Sequence, residues 1–544
     1  MPSVSSFLID RLKSNNIQHV FGVPGDYVLD FYSQLYHDQD VSLINTTDEN
    51  HAGFAADGYA RANGAGAICV TYNVGALKVA NAVACGYAER SPMMVIVGAP
   101  GINERKQNML LHHVTGSFDN LKNIFSNITC FSEVISDPSE AGLIIDNAFE
   151  AMHYHKQPVY LELPRDIAKK PIRYDVYQQG TPDTEKSHQN IVKEAVQDIF
   201  SCMEQATHPV CILGVEAARY GYGKSFQEFC SRHNIPFATT LLSKSIIGED
   251  DPNYLGVYQG GASRPHILEC LHDSDCVLLF GVMLSDFTLL FRDDALPKNK
   301  TLLCNVGTCQ VKNHLYPNLH FQDICKAFLE NRQFTKTYHR RYVNKPLEAN
   351  FIEASRTHCQ IDYLRQEVQK YLNEDTVVVA DVGDSLFLSS DFSVSHAERF
   401  FCPAFYLSMG FAIPAALGLK FAKPNLRPVV LLGDGSFQMS VSELSSFVRY
   451  NLNPVIIILN NDGYSTERFL KEGEFNDIHR WAYHKQLDVY GCKNSFLVQN
   501  DIELEKALEE AFSSDSVSLL NVQIDRKEVS AGLKRITAAL GQKV

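Results

Sequence analysis

Along the whole chain, short runs of consecutive apolar residues alternate with longer stretches in which apolar positions recur every three or four residues. The runs cover 67–72, 93–97, 158–163, 210–213, 276–280, 301–306, 376–382, 429–432, 455–459 and 518–524. A strand with one face in water alternates apolar and polar residues, whereas these runs are continuous, the pattern of strands covered on both faces. Helix-period segments between them supply the covers, as with Phe7, Leu8 and Leu12 ahead of Phe21-Gly22. The pattern predicts an α/β architecture with parallel sheets. Two stretches interrupt it: 171–189 is polar and holds Gly180 and Pro182, and 333–346 is basic and aperiodic. Both read as linkers, so three parallel-sheet α/β domains are expected over 1–180, 190–335 and 348–544.

Composition narrows the field. The 544 residues are 45% apolar and 21% charged, ordinary for a folded protein and sufficient for several cores. A net charge of −14 with scattered Lys/Arg pairs leaves no basic footprint for nucleic acid or an anionic membrane, and a small molecule fits better as partner. No run nears the roughly 20 apolar residues of a membrane span, and the first residues lack the features of a signal peptide. The 14 cysteines form no Cys-x-x-Cys, and Cys69, Cys211, Cys276 and Cys304 lie inside apolar runs, as small core residues do. A reducing cytoplasm is the expected setting.

The densest chemistry lies in the last third. The run 429–432 ends in Gly433-Asp434-Gly435-Ser436, with a helix expected to begin near Ser440, and the run 455–459 ends in Asn460-Asn461-Asp462-Gly463. Parallel strands deliver their C-terminal ends to one crevice, so Asp434 and Asn461 are expected to meet there. Backbone N–H groups at such a strand-to-helix turn favour phosphate. The Asp434 carboxylate, the Asn461 amide oxygen and the Gly463 carbonyl are hard ligands suited to Mg²⁺, completed by phosphate and water. Each motif alone would be an ordinary turn. Together, at the ends of two strands, they point to a site. Other motifs fail: no Gly-x-Gly-x-x-Gly opens a βαβ unit, His-Glu-x-x-His and Gly-x-Ser-x-Gly do not occur, and Gly223-Lys224-Ser225 has Ala218 where a P-loop needs glycine.

Gly-Asp-Gly, then 24 residues, then Asn-Asn resembles the binding motif of the thiamine diphosphate enzymes, and the continuation 460–469 is similar to that of the 2-oxo acid decarboxylases. The resemblance covers essentially the whole chain. It implies pyrimidine-binding, middle and diphosphate-binding domains, with thiamine diphosphate and Mg²⁺ as cofactors. It implies that Glu49, in Thr47-Asp48-Glu49-Asn50-His51, faces the aminopyrimidine ring and shares a proton with it. Asp26, His112, His113 and Glu467 would handle further protons and orient the substrate carboxylate. Gly383, Asp384, Ser385, Ser408, Met409, Gly435 and Ser436 would line the cofactor, with Met409 propping its bent form, while Asp434, Asn461 and Gly463 hold the metal. Read bare, Glu49 is a first-turn acid at a helix start, His112-His113 a surface pair, Glu467 a solvated carboxylate and Met409 a core filler.

The resemblance implies non-oxidative decarboxylation of a 2-oxo acid to an aldehyde and CO₂, in a homodimer or dimer of dimers with active sites between subunits. The stretches 381–387 and 409–418 are closer to the phenylpyruvate and indolepyruvate type, so an aryl or bulky 2-oxo acid is expected over pyruvate. Alternatives are pyruvate decarboxylase proper, a carboligase of the acetolactate synthase type, and a non-catalytic regulatory subunit. The His112-His113 pair and Glu467 argue against the carboligase, and the intact set of acids and histidines against the regulatory subunit. Two residues depart from the decarboxylase pattern. Lys78 stands where a small or polar uncharged residue is usual, and Leu386, expected near the substrate pocket, is neither the small residue nor the large aromatic of several relatives.

Overall fold

The computed structural model describes residues 2–107, 109–172, 187–290, 296–342, 344 and 351–541. Most of the stretch 171–189, and residues 343, 345 and 346 of the stretch 333–346, lie outside them. All ten expected strands are present, and nine of the apolar runs are strands buried along most of their length because helices cover both sheet faces; the run 301–306 is the exception, with only Leu302 and Cys304 buried.

The first sheet holds β1 (His19–Gly22), β2 (Ser42–Asn45), β3 (Gly66–Thr71), β4 (Met93–Ala99), β5 (Phe131–Val134) and β6 (Val159–Pro164). It is parallel throughout, in the order β2-β1-β3-β4-β6-β5. The second holds β7 (Pro209–Leu213), β8 (Phe237–Thr240), β9 (Tyr254–Tyr258), β10 (Cys276–Phe280), β11 (Thr301–Asn305), β12 (Thr308–Val311) and β13 (His314–Tyr316). Its order is β13-β12-β11-β10-β7-β8-β9, parallel except for the hairpin pairs made by β12. The third holds β14 (Thr376–Ala380), β15 (Phe400–Phe401), β16 (Arg427–Gly433), β17 (Val455–Asn460), β18 (Ser495–Val498) and β19 (Ser518–Gln523), all parallel, in the order β15-β14-β16-β17-β19-β18.

The first and third sheets share one core, which runs from Phe21 and Val70 through Val377 and Leu432. Its centre is a pair of helices, Glu49–Asn63 and Ala412–Ala422, whose sequences are rich in Ala and Gly. Small side chains let the two backbones touch. A Cβ on Gly418 would lie 1.7 Å from the Ala55 carbonyl oxygen, and one on Gly58 would lie 2.2 Å from that of Ala415. A second tie is polar. Buried Arg61 pairs with Asp57 at 2.8 Å and Glu89 at 2.7 Å, and donates to the Cys402 carbonyl, while Glu89 accepts the N–H groups of Phe405 and Tyr406. All fourteen cysteines are free thiols, and Cys69, Cys211, Cys276 and Cys304 are buried. Among the described residues no helix is long and apolar enough to cross a membrane.

Candidate active site

β16 and β17 are neighbours in the third sheet, so their C-terminal turns face one crevice. There, Gly383, Asp384, Ser385, Met409, Asp434, Gly435, Ser436, Asn461, Gly463 and Glu467 line a single cavity of about 240 Å³. The helix after β16 begins at Asp434 itself and ends at Ser440, so the expectation of a start near Ser440 is corrected. The residues after Gly433 already have helical backbone, and Asp434 is the first-turn acid. Asp434 is 1% exposed, and burial pushes its carboxyl up to about 6 against the pull of the N–H groups of Gly435, Asp462 and Gly463. The Gly463 N–H reaches its Oδ2 at 3.3 Å, and Asn461 donates its amide N–H to Ser465 Oγ at 2.8 Å, which leaves the amide oxygen to act as a ligand. Gly463 has φ +147°, and a Cβ there would meet the Asn476 carbonyl oxygen at 2.1 Å, so only glycine makes this turn.

Asp384 also lines the cavity, but its carboxylate accepts the Ser530 N–H at 2.9 Å and the Ser530 hydroxyl, which ties down the start of the helix Ala531–Gly541. Burial pushes Asp384 up to about 6. Asp381, missed from sequence, is fully buried and likewise pushed up to about 6. It accepts the N–H groups of Gly410 and Ala412 and so fixes the Ser408-Met409 turn beside the cavity. Ser408 itself is not among the residues lining the cavity and accepts from Asn81 at 3.0 Å. Leu386 does not reach the cavity: the helix Asp384–Ser390 turns it into the core at 0% exposure, and Phe387 stands on the cavity wall instead, stacked against Phe287.

The remaining candidate residues sit on the first sheet. Glu49 opens the helix Glu49–Asn63, capped by the Asp48 carboxylate, which accepts the Asn50 N–H at 2.8 Å. This turn is pinned by Glu443, which accepts from Thr47 and pairs with His51 at 3.0 Å. Asp26 follows β1, and its Oδ2 lies 2.8 Å from His112 Nε2; Tyr27 stacks on the His112 ring at 4.7 Å. His113 stands edge-on to His112, and the donor atoms of Asp26, His112 and His113 all lie within 4.8 Å of one another. A carboxylate paired with one imidazole and with a second close by is equipped to pass protons. His113 has φ +66°, and its carbonyl accepts from Asn73 at 2.5 Å, so the pair is positioned by a strained turn tied to the end of β3.

The sequence-derived set thus divides into two. The diphosphate and metal residues converge on one cavity, and Glu467 faces it from the helix Ser465–Leu470. Asp26, Glu49, His112 and His113 do not line that cavity within the same chain. Lys78 is unexpected in its partners: its Nζ contacts Asp48 and reaches Glu49 Oε2 at 2.7 Å. Its charge was legible in the sequence, but only the fold brings the helix Val74–Ala88 against Glu49.

Three models of the thiamine pyrophosphate enzymes match the chain: the N-terminal TPP binding domain at 2–122, the central domain at 196–331 and the C-terminal TPP binding domain at 364–522. The chain is 30% identical to a probable pyruvate decarboxylase of Schizosaccharomyces pombe over 98% of its own length and 94% of the relative's. It is 29% identical to the indole-3-pyruvate decarboxylase of Azospirillum brasilense over 98% and 97%. It is 28% identical to a thiamine metabolism regulatory protein of Saccharomyces cerevisiae over 90% and 84%.

Proposed function

The chain belongs to the thiamine pyrophosphate-dependent 2-oxo acid decarboxylases, and on that premise we propose that it converts aryl or bulky 2-oxo acids to aldehydes and CO₂, with Mg²⁺ and the cofactor held between two copies of the chain. The donor set fits the group. Asp434 is buried without a cationic partner among the described residues, and Thr466 Oγ1 on the cavity wall is buried and unpaired, so both are polar groups that a metal diphosphate would satisfy. Asp434, Asn461 and Gly463 would hold the metal. When bound, the cofactor supplies a cationic ring that accepts the electron pair released with CO₂.

The chain's own groups supply positioning and protons. Glu49 holds a proton toward the ring nitrogen, while Asp26, His112, His113 and Glu467 orient the substrate carboxylate and return a proton to the product. Met409 on the cavity wall would support the cofactor, and the Phe287–Phe387 stack forms an apolar wall suited to a bulky side chain. The observation that carries the reading is the convergence of Asp434, Asn461 and Gly463 with the turn 383–385 on one cavity. The separation of the Asp26 and Glu49 groups from that cavity supports a site completed by a second copy, as do the exposed Val74 and Leu77 beside Lys78. The free thiols support a reducing cytoplasm. A panel of pyruvate, branched-chain, phenylpyruvate and indolepyruvate substrates tests the proposal. CO₂ and the matching aldehyde are expected, fastest with the aryl acids and only with thiamine diphosphate and Mg²⁺ present. Acetolactate as the main product from pyruvate would instead establish the carboligase.

A further inference from the structure

Asp26, His112 and His113 form a carboxylate–imidazole cluster that does not line the Asp434 cavity, and their three donor atoms lie within 4.8 Å of one another. In a four-coordinate zinc site with bonds of about 2.0 to 2.1 Å, donor atoms stand roughly 3.3 to 3.4 Å apart. Asp26 Oδ2 and His112 Nε2, at 2.8 Å, are already inside that spacing, so small side-chain rotations bring all three donors onto one ion. His113 Nδ1 is buried without a hydrogen-bond partner, so that atom has no bond to give up when the ring turns, and a buried polar atom left unpaired calls for a partner. The backbone beneath it is fixed by the φ +66° turn tied to Asn73. His112 has its outer-shell partner in place: Tyr27 stacks on the ring and sets its hydroxyl 3.4 Å from Nδ1. When an ion takes Nε2, the ring proton moves to Nδ1 and faces the Tyr27 oxygen, the arrangement that orients a metal-bound histidine. The Asp26 and His112 side chains are 43% and 55% exposed, which gives an ion entry from solvent and leaves water to complete its shell.

We propose that Asp26, His112 and His113 form a second metal site, one for Zn²⁺ or a divalent ion of similar preference, and that filling it switches off CO₂ release. Two imidazoles and a carboxylate are a donor set for zinc, whereas Mg²⁺ takes oxygen ligands. Asp434, Asn461 and Gly463 offer oxygen, so the two sites sort ions by ligand type. The site itself stands on the geometry. Its inhibitory effect rests on the proton-handling role given above to the same three residues: an imidazole nitrogen bound to a metal has no lone pair left to take up a proton and none to return.

The test titrates the full-length chain with Zn²⁺ by calorimetry in excess Mg²⁺, and repeats the titration with Co²⁺, whose visible absorption reports its coordination. Wild type is compared with His112→Ala, His113→Ala and Asp434→Ala. Wild type and Asp434→Ala are expected to bind one ion per chain alike, with the intense visible bands of four-coordinate Co²⁺. In His112→Ala and His113→Ala the affinity is expected to fall more than about 100-fold, beyond the loss that outer-shell changes bring. Zn²⁺ is also expected to stop CO₂ release by the chain loaded with thiamine diphosphate and Mg²⁺ over the range in which the site fills, and a chelator followed by fresh Mg²⁺ to restore it. Absence of binding, binding that survives both histidine changes, or binding lost only in Asp434→Ala overturns the site. A filled site that leaves CO₂ release unchanged overturns the switch. A chain that binds Zn²⁺ here, yet decarboxylates no 2-oxo acid when the ion is absent, refutes the proposed function and leaves the site standing, so the two fail separately.

Discussion

The first and third sheets have the same topology: in each, the strands lie in the order second, first, third, fourth, sixth, fifth. Equivalent turns therefore face equivalent crevices, yet they carry different chemistry. The turn after the first strand holds Asp26 in one half and Gly383-Asp384-Ser385 in the other. After the second strand come Glu49 and, opposite it, Ser408-Met409; after the third, Asn73 and Asp434; after the fourth, His112-His113 and Asn461, Gly463 and Glu467. One half presents exposed Asp26 and His112 with partly buried Glu49 and His113, whereas the other presents a buried carboxylate and glycine turns around a cavity. The frame supplies the crevice, and the residue types in four turns decide whether it moves protons or grips a metal diphosphate.

If the halves divide labour in this way, lesions in them should fail differently. Asp434→Ala is expected to weaken thiamine diphosphate binding more than about 100-fold, through loss of the only carboxylate among the proposed metal ligands. Glu49→Gln should retain binding but lower the rate of CO₂ release by about 10² to 10⁴. Calorimetry with Mg²⁺ and stopped-assay CO₂ release separate the two, and equal loss of binding in both variants would break the comparison.

The next effects concern how the halves are joined. Gly418→Ala places a Cβ 1.7 Å from the Ala55 carbonyl oxygen, so the helix pair must part; a loss of about 3 kcal/mol or more is expected in denaturant unfolding. Glu89→Gln leaves two N–H donors and the Arg61 guanidinium sharing a neutral amide. Breaking a buried pair costs about 3 to 5 kcal/mol, and the low end is expected because Asp57 still pairs with Arg61. If either variant unfolds one half while sparing the other, the shared core does not couple them.

The sequence showed ten strands of five to seven residues, nine of them largely buried, since continuous apolar runs have few other uses, and the paired motifs at Asp434 and Asn461. It hid β1, β2, β5, β8, β9, β12, β13, β15 and β18, all but β9 of four residues or fewer, because so short a run has no readable period. It misplaced Leu386 because one residue of phase around a short helix decides between core and cavity, and apolar Leu386 and Phe387 suit both. It could not show Asp381, Glu89 or Glu443 as buried anchors. Their partners are backbone N–H groups and side chains up to several hundred residues away, and nothing in a local pattern marks a charge that long-range packing will bury.

The smallest expected effect lies where the two halves meet beside the proposed site. His51, two residues past Glu49, pairs with Glu443, which follows the Asp434 helix, and both side chains are buried. Burial works against the charge on His51, but the hydrogen bond and charge of Glu443 outweigh it and hold the imidazole above its ordinary 6.5. Burial likewise works against the Glu443 carboxylate, and hydrogen bonds from His51, Ser446 and Thr47 hold it below its ordinary 4.5. A raised histidine contributes stability that is complete below about pH 6.5 and is lost as pH rises through the raised value; a depressed glutamate contributes above about pH 4.5 and loses it on acidification. The pair therefore stabilises most between about pH 4.5 and 6.5. His51→Gln keeps a hydrogen-bonding side chain without the charge, and the stability difference from wild type should peak in that window at about 2 kcal/mol, shrinking by about pH 9. Thermal unfolding of both proteins across this range measures it. A difference that grows with pH instead would mean that the halves meet here through a neutral imidazole, and that the tie between the Glu49 turn and the metal half is a matter of packing rather than charge.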